Sequence, residues 1–199
     1  MAISYVGIGT YNSGSAGITV ATPSGIAAGD LLVAAVETAN QTITTSSSGW
    51  TTYTGTAGGT AGAAGGIRCT VFYKITDGSD TGIVLNDSGN HQLGVMLAYR
   101  GVDSSSPINA SASQYNASST TLTCPSVTTT VANTAIIAIA AIDRDVATTT
   151  QVSGWTCTFS ASIVEVFDRT VTTGQGGGLG IATEFAAAIG ATGTVTVLS

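Results

Sequence analysis

The sequence predicts an all-β protein, built as a two-sheet antiparallel sandwich of jelly-roll type with an internal pseudo-repeat. Three observations predict this fold class. Apolar residues recur at every second position or form short continuous runs. Clusters of Gly, Ser, Thr and Asn bound nearly every run, as they do between strands. No segment has apolar residues at helical spacing between charged flanks. At 199 residues, the chain is expected to form one domain over residues 1–199.

About a dozen strands account for the alternating and apolar segments. The first half is expected to place them at 3–8, 16–21, 30–37, 50–54, 67–75, 82–85 and 93–99. The second half is expected to place them at 120–124, 135–142, 155–159, 163–172, 179–185 and 194–198. Residues 182–189 also suit a helical turn by composition, but Gly180 and Gly190 on either side favour a strand. Residues 55–66, nearly all Gly, Ala and Thr, predict a flexible loop.

The composition restricts the classes of partner. Charged residues make up only 8% of the chain, against roughly 25% in an average soluble domain, and the net charge is −6. The five Lys and Arg residues are scattered, so direct nucleic-acid binding is not expected. The N-terminal residues lack a secretory pattern, and no apolar run approaches the roughly 20 residues that span a bilayer. We therefore expect synthesis in the cytoplasm and no membrane contact. A surface so poor in charge favours association, and we expect a homo-oligomer.

One pattern occurs twice along the chain. A Pro-Ser pair, a short polar stretch, a buried apolar strand and a Gly-Trp-Thr corner follow one another in the same order. The two copies predict pseudo-repeat halves at about 15–103 and 118–199, whose apolar faces would cover each other in one shared core. The matching positions are Pro23, Gly29, Trp50 in the first half and Pro125, Asn133, Trp155 in the second.

Residues able to carry chemistry are few. His91 is the single histidine, beside a turn, and is expected to be a satisfied surface residue. Glu165 and Asp168 lie on one predicted strand at an odd offset, which places them on opposite faces. Glu165 and Glu184 could meet across strands, but nothing selects that pair. We therefore predict no catalytic, cofactor-binding or metal-binding residues and no enzymatic activity, and we assign no binding residues.

The cysteines and tryptophans have ordinary structural interpretations. The three cysteines form no CxxC pair and are expected to be free, buried and apolar in role. Trp50 and Trp155 are expected to pack at sheet edges. Stacking of either indole on a sugar ring remains an alternative.

Four motifs in order carry a resemblance. Gly29-Asp30-Leu31-Leu32, Gly49-Trp50-Thr51, Tyr73-Lys74 and Ala98-Tyr99-Arg100-Gly101-Val102-Asp103 resemble a pattern found in virion structural proteins of tailed bacteriophages. The resemblance covers residues 15 to 160 approximately. It implies a jelly-roll-like domain without catalytic residues.

The resemblance leaves two functions open. Because the sequence has no long trimeric stalk, we favour a capsid decoration or cement protein on the outer surface of the head shell, with the major capsid protein and copies of itself as partners. The alternative is a tail or baseplate adhesin module that binds a host-surface glycan. A glycan-active enzyme is the least favoured interpretation.

Overall fold

A computed structural model describes residues 2–117, 119–159, 162–186 and 188–199. Within these residues the chain forms strands joined by turns and loops, and none of them lies in a helix. The strands are β1 (Ser4–Ile8), β2 (Asn12–Gly14), β3 (Ile18–Ala21), β4 (Leu31–Thr38), β5 (Thr51–Thr54), β6 (Arg68–Ile75), β7 (Gly82–Leu85), β8 (Gln92–Arg100), β9 (Thr121–Cys124), β10 (Thr128–Thr129), β11 (Thr134–Ile142), β12 (Ser153–Cys157), β13 (Val164–Val171), β14 (Gly177–Ala186), β15 (Gly190–Ala191) and β16 (Val195–Leu198).

The predicted all-β class is confirmed, and each predicted strand overlaps an observed one. Strands β2, β10 and β15 were not predicted, because each spans only two or three residues and shows no apolar alternation. All strand pairings among the described residues are antiparallel. The jelly-roll connectivity stays a prediction. No helix of a length and apolarity that would cross a membrane occurs in the described part of the chain.

The strands form more sheets than the two that were expected. The largest has the order β1-β8-β4-β6-β5, with β2 also paired to β8. Two three-stranded sheets, β11-β14-β13 and β12-β16-β9, belong to the second half. Two-stranded ladders join β3 to β7 and β10 to β15.

Apolar side chains arrange these sheets in layers. Every residue of β4 is buried, and its side chains alternate between two hydrophobic clusters. Leu32, Ala34 and Val36 pack toward β3 and β7 in a first-half cluster. Leu31 and Val33 belong to a central cluster that also contains residues of β8, β13 and β14. A second-half cluster lies between the two three-stranded sheets.

The expectation of one shared core is therefore corrected. The two halves do meet in the central cluster, but each half also has an apolar cluster of its own. The reason is that β4 and β8 are apolar at consecutive positions, so the large sheet has two faces to cover rather than one.

The repeated motif has a common local geometry. Gly29 and Asn133, which stand just before β4 and β11, both have positive φ, at 91° and 57°. Gly49 and Gly154, each before a tryptophan, also have positive φ. Strand pairing differs, however: β4 lies between β6 and β8, whereas within the described part of the chain β11 is paired with β14 alone. The half boundaries at about 15–103 and 118–199 stay a prediction.

The Gly-, Ala- and Thr-rich segment 55–66 follows β5. Gly58 and Ile67 exchange two backbone hydrogen bonds of 2.9 Å, and the amide of Gly62 donates to the carbonyl of Ala39 at 2.7 Å. The predicted flexibility of this segment stays a prediction, and these hydrogen bonds give it defined attachment points.

Candidate interaction surface

The residues of the four motifs make framework contacts in the first half. Asp30, at the start of the GDLL motif, accepts hydrogen bonds from the guanidinium of Arg100 at 2.7 and 2.9 Å. The amide of Ala27 donates to the same carboxylate. The hydrogen bond from Arg100 is the main reason that the pKa of Asp30 lies below its usual range. This pair joins the entry to β4 with the end of β8.

Two further motif positions serve the same framework. Trp50 packs against the first-half cluster. Lys74, in the Tyr-Lys motif, pairs with Asp80 at 2.7 Å, and Asp80 also accepts a hydrogen bond from Thr76. These contacts tie the loop at residues 77–80 to the end of β6.

Glu37 and His91 form an ionisable pair sealed inside the protein. Both side chains are 0% exposed, and His91 Nε2 lies 3.0 and 3.1 Å from the two carboxylate oxygens. Burial raises the pKa of Glu37 to about 7, although the hydrogen bond and charge of His91 oppose that rise. The prediction that His91 lies on the surface is wrong, because the side chain turns inward and pairs with Glu37.

The second half covers this pair. Asn90 Oδ1 lies 3.1 Å from His91 Nδ1 and accepts a hydrogen bond from the amide of Gln175. Gly177 lies against the carboxylate of Glu37 so closely that a Cβ atom would overlap it. The β13–β14 turn therefore closes over the pair at one end of the interface between the halves.

The sequence contained a weak signal for this site. Glu37 follows Leu31, Val33 and Ala35 at the same strand parity, so its carboxylate had to point to the side that these residues cover. A carboxylate at such a position needs a partner, but nothing in the sequence singles out His91, which lies 54 residues away.

The carboxylates of β13 lie differently from the prediction. Glu165 is opposite Ala182 and Asp168 is opposite Gly180, with a register shift between Glu165 and Phe167. Ala182 and Gly180 share one face of β14, so Glu165 and Asp168 also share a face. The expectation of opposite faces is wrong because the bulge adds one residue to β13.

Both carboxylates hold the neighbouring loop and strand. The indole N–H of Trp155 donates to Glu165 Oε2 at 2.8 Å, and the amide of Val152 donates to Asp168 Oδ2 at 2.8 Å. A shallow pocket of about 440 Å³ lies beside Trp155 and Glu165 and is also lined by Thr149, Thr150, Val152, Ser153, Gly154 and Ile163.

The predicted positions of the tryptophans are confirmed, since Trp155 lies on the edge strand β12 and Trp50 immediately precedes the edge strand β5.

A large groove separates the two halves on one side. It has a volume of about 1210 Å³ and is lined by β11, by inner residues of β6 such as Val71 and Tyr73, and by the segment between β8 and β9. All nine residues of β11 contribute to its wall. Because β11 ends its sheet, its outer edge faces this groove and has no strand partner among the described residues.

The segment between β8 and β9, which we call the linker, is described at residues 101–117, 119 and 120. It forms no strand there, lines the groove and is mostly exposed. Side chains attach it at intervals. Ser113 is hydrogen-bonded to Thr56, and Asn109 is hydrogen-bonded to Thr130. The ring of Tyr115 lies directly on Gly58.

The three cysteines are free and partly exposed as residues. Burial raises the pKa of the Cys69 thiol to about 12 and that of the Cys124 thiol to about 11, so both are neutral at physiological pH. Cys124 Sγ approaches the carbonyl oxygen of Ile139 on β11 at 3.8 Å. This carbonyl therefore points away from β14 and toward the groove.

Across residues 2–117, 119–159, 162–186 and 188–199, no group of three or more His, Cys, Asp and Glu is arranged to hold a metal ion. The features that the structure brings together are thus a framework of motif residues, a sealed Glu–His pair, a shallow pocket at Trp155 and a long groove beside an unpaired strand. No protein-family model, curated protein or solved structure matches this chain.

Proposed function

We propose that this protein is a non-enzymatic virion structural protein of a tailed bacteriophage, and that it decorates the outer surface of the head shell. It would bind the major capsid protein and neighbouring copies of itself, and would stabilise the shell against internal pressure. It would be made in the host cytoplasm and assembled onto the virion without contacting nucleic acid or membrane.

The observation that carries the proposal is the role of the motif residues. The positions that resemble phage virion proteins form the Asp30–Arg100 pair, the packing of Trp50 and the Lys74–Asp80 pair. These contacts build a domain rather than a reaction centre. The motif residues therefore serve a structural framework in this chain, and a framework suits a protein whose task is mechanical.

One buried group and one property of the surface support a binding role. His91 is sealed from solvent, so its imidazole cannot touch a substrate in this conformation. The linker and β11 contain no charged residue from 107 to 116 or from 134 to 142, so burying them against a partner involves no desolvation of charge. Repeated copies on a lattice would add avidity to each weak contact.

The proposal is tested by counting copies in purified virions of the phage that encodes the chain. Quantitative gel analysis should give hundreds of copies per particle, and labelled antibodies should mark the head surface. A handful of copies, or label confined to the tail, would contradict decoration of the head.

A second function, a tail or baseplate adhesin that binds glycan, is favoured by the pocket at Trp155. A partly exposed indole, fixed by its hydrogen bond to Glu165 and surrounded by hydroxyl side chains, has the composition of a sugar-binding surface. Binding to host-surface glycans should then be lost in Trp155→Ala and kept in Trp50→Phe, which alters only the other indole. Equal binding by both variants would contradict this function.

A further inference from the structure

The outer edge of β11 is a hydrogen-bonding surface that has no strand partner among the described residues. In an antiparallel ladder, alternate residues turn both backbone groups toward one neighbour. The Ile139 carbonyl points into the groove, so Ala135, Ile137, Ile139 and Ala141 present their amides and carbonyls on that side. None of these groups has a backbone partner among the described residues.

The groove has the chemistry of a strand-binding site. Beyond the free backbone groups, its wall carries the apolar side chains of Ile137 and Ile139 on one side and of Val71 on the other. The buried hydroxyl of Thr134, at the start of β11, has no hydrogen-bond partner in the described structure. An extended peptide would supply donors and acceptors along the edge and apolar side chains for the walls.

The chain contains a segment that matches this site. Residues 107–116 of the linker belong to no strand, helix or turn, and no backbone–backbone hydrogen bond is found for the described residues of 101–119. Their sequence alternates, with Ile108, Ala110 and Ala112 separated by Asn109 and Ser111. The segment has no charge and about the same length as the nine-residue β11.

We propose that residues 107–116 of one copy pair with the β11 edge of a second copy, so that the protein self-associates by donating a strand. Exchange of an element between identical chains needs no new sequence, because acceptor and donor are both present in every copy. The described contacts that have to open are the side-chain hydrogen bonds of Asn109, Ser113 and Asn116 and the packing of Tyr115 on Gly58. On the acceptor edge, the thiol of Cys124 has to leave the Ile139 carbonyl. A full ladder along four outward-facing residues would offer eight backbone groups in return.

The inference does not depend on the location of the protein in a virion. A self-associating chain that is absent from the head shell would keep the inference and lose the proposed function. A chain that decorates the head but stays monomeric in solution would keep the proposed location and lose the inference. Failure of one proposal is therefore distinguishable from failure of the other.

The test uses the full chain and a double substitution in the donor, Ala110→Pro with Ala112→Pro. Both alanines are exposed and their amides make no backbone hydrogen bond, so the fold of the single chain should survive. Light scattering after size exclusion should show oligomers for the parent chain between about 10 and 200 μM and monomers for the double variant. The matched control, Ala110→Val with Ala112→Val, keeps both amides and should remain oligomeric.

A labelled synthetic peptide of residues 106–117 provides the second measurement. It should bind the full chain and dissociate its oligomers, whereas the peptide carrying both prolines should not bind. A parent chain that stays monomeric at 200 μM would overturn the proposal, as would oligomers that persist in the proline variant. Protection of the Ile137 and Ile139 amides from hydrogen exchange in a monomer would also overturn it, since it would mean that the linker closes on its own β11.

Discussion

The sealed pair of Glu37 and His91 makes a specific prediction about how stability depends on pH. Glu37 has a folded-state pKa of about 7, above its ordinary value of 4.5, mainly because the carboxylate is buried. A group whose folded pKa is raised stabilises the fold fully below its unfolded pKa. That contribution is lost as the pH rises through the folded value.

The size of the effect follows from the two pKa values. The difference between about 7 and 4.5 corresponds to roughly 3 kcal/mol of unfolding free energy, lost between pH 4.5 and a little above 7. Glu37→Gln removes the titration while keeping the size and hydrogen-bonding capacity of the side chain. We therefore expect Glu37→Gln to gain stability relative to the parent chain across this interval, by an amount approaching ~3 kcal/mol.

His91→Ala should lower the unfolding free energy at neutral and higher pH, opposite to the effect of Glu37→Gln. The hydrogen bond and charge of His91 lower the pKa of Glu37, while the charge of Asp143 raises it. Loss of the imidazole therefore raises the folded-state pKa of Glu37, and the loss of stability extends to a higher pH than in the parent chain. At pH 8 the variant leaves a buried carboxylate without its partner, which costs about 3–5 kcal/mol. At pH 4.5, where Glu37 is neutral, the loss should be smaller.

Urea unfolding at half-unit steps from pH 4.5 to 8.5, followed by both tryptophan fluorescence and circular dichroism, measures these differences. Coincident transitions establish that the unfolding free energies can be compared. The double variant Glu37→Gln with His91→Ala is the control, because without a buried carboxylate the shift caused by His91→Ala should disappear. A difference between Glu37→Gln and the parent chain that stays constant within about 0.5 kcal/mol over the whole range would refute the reasoning.

Two substitutions test the contacts between the halves. Gly177→Ala should destabilise the fold by about 1–3 kcal/mol, because its Cβ would overlap the Glu37 carboxylate. The control Gly7→Ala should change stability little, since a Cβ there meets only an ordinary contact. Thermal unfolding of the two variants side by side checks this, and equal melting temperatures would contradict the packing described. Tyr99→Phe removes the hydroxyl that donates to Thr183 across the interface at 3.0 Å, with an expected cost of about 1 kcal/mol. A loss below the error of denaturant titration would show that this hydrogen bond adds nothing.

Local periodicity was enough to predict thirteen of the sixteen strands observed among the described residues; β2, β10 and β15 are too short to show it. Segments such as β6, with Cys69, Val71 and Tyr73 on one face, can be recognised as strands from a few residues, because alternation is a property of neighbours in sequence. The fully apolar run of β4 likewise indicates a strand buried on both faces. The fold class follows from such local signals alone.

Long-range features were beyond the sequence for physical reasons. The bulge in β13 inserts one residue and reverses the parity of everything after it, so Asp168 joins Glu165 on one face. The pairing of Glu37 with His91 depends on the register of β4 against β8, in which Glu37 is opposite Leu93. Register is set by the packing of whole sheets, and no alternation within one strand specifies it.

The layered arrangement also determines where a partner can bind. Because β4 and residues 92–99 of β8 are buried, substitutions there can change stability but cannot touch another molecule. A partner can therefore bind only at sheet edges, loops and the linker. Among the described elements, β11 is the one long apolar strand that both ends its sheet and lines a groove along its whole length. Substitutions that remove backbone amides should therefore separate the two roles: in β4 they should unfold the protein, and in residues 107–116 they should leave it folded while abolishing self-association.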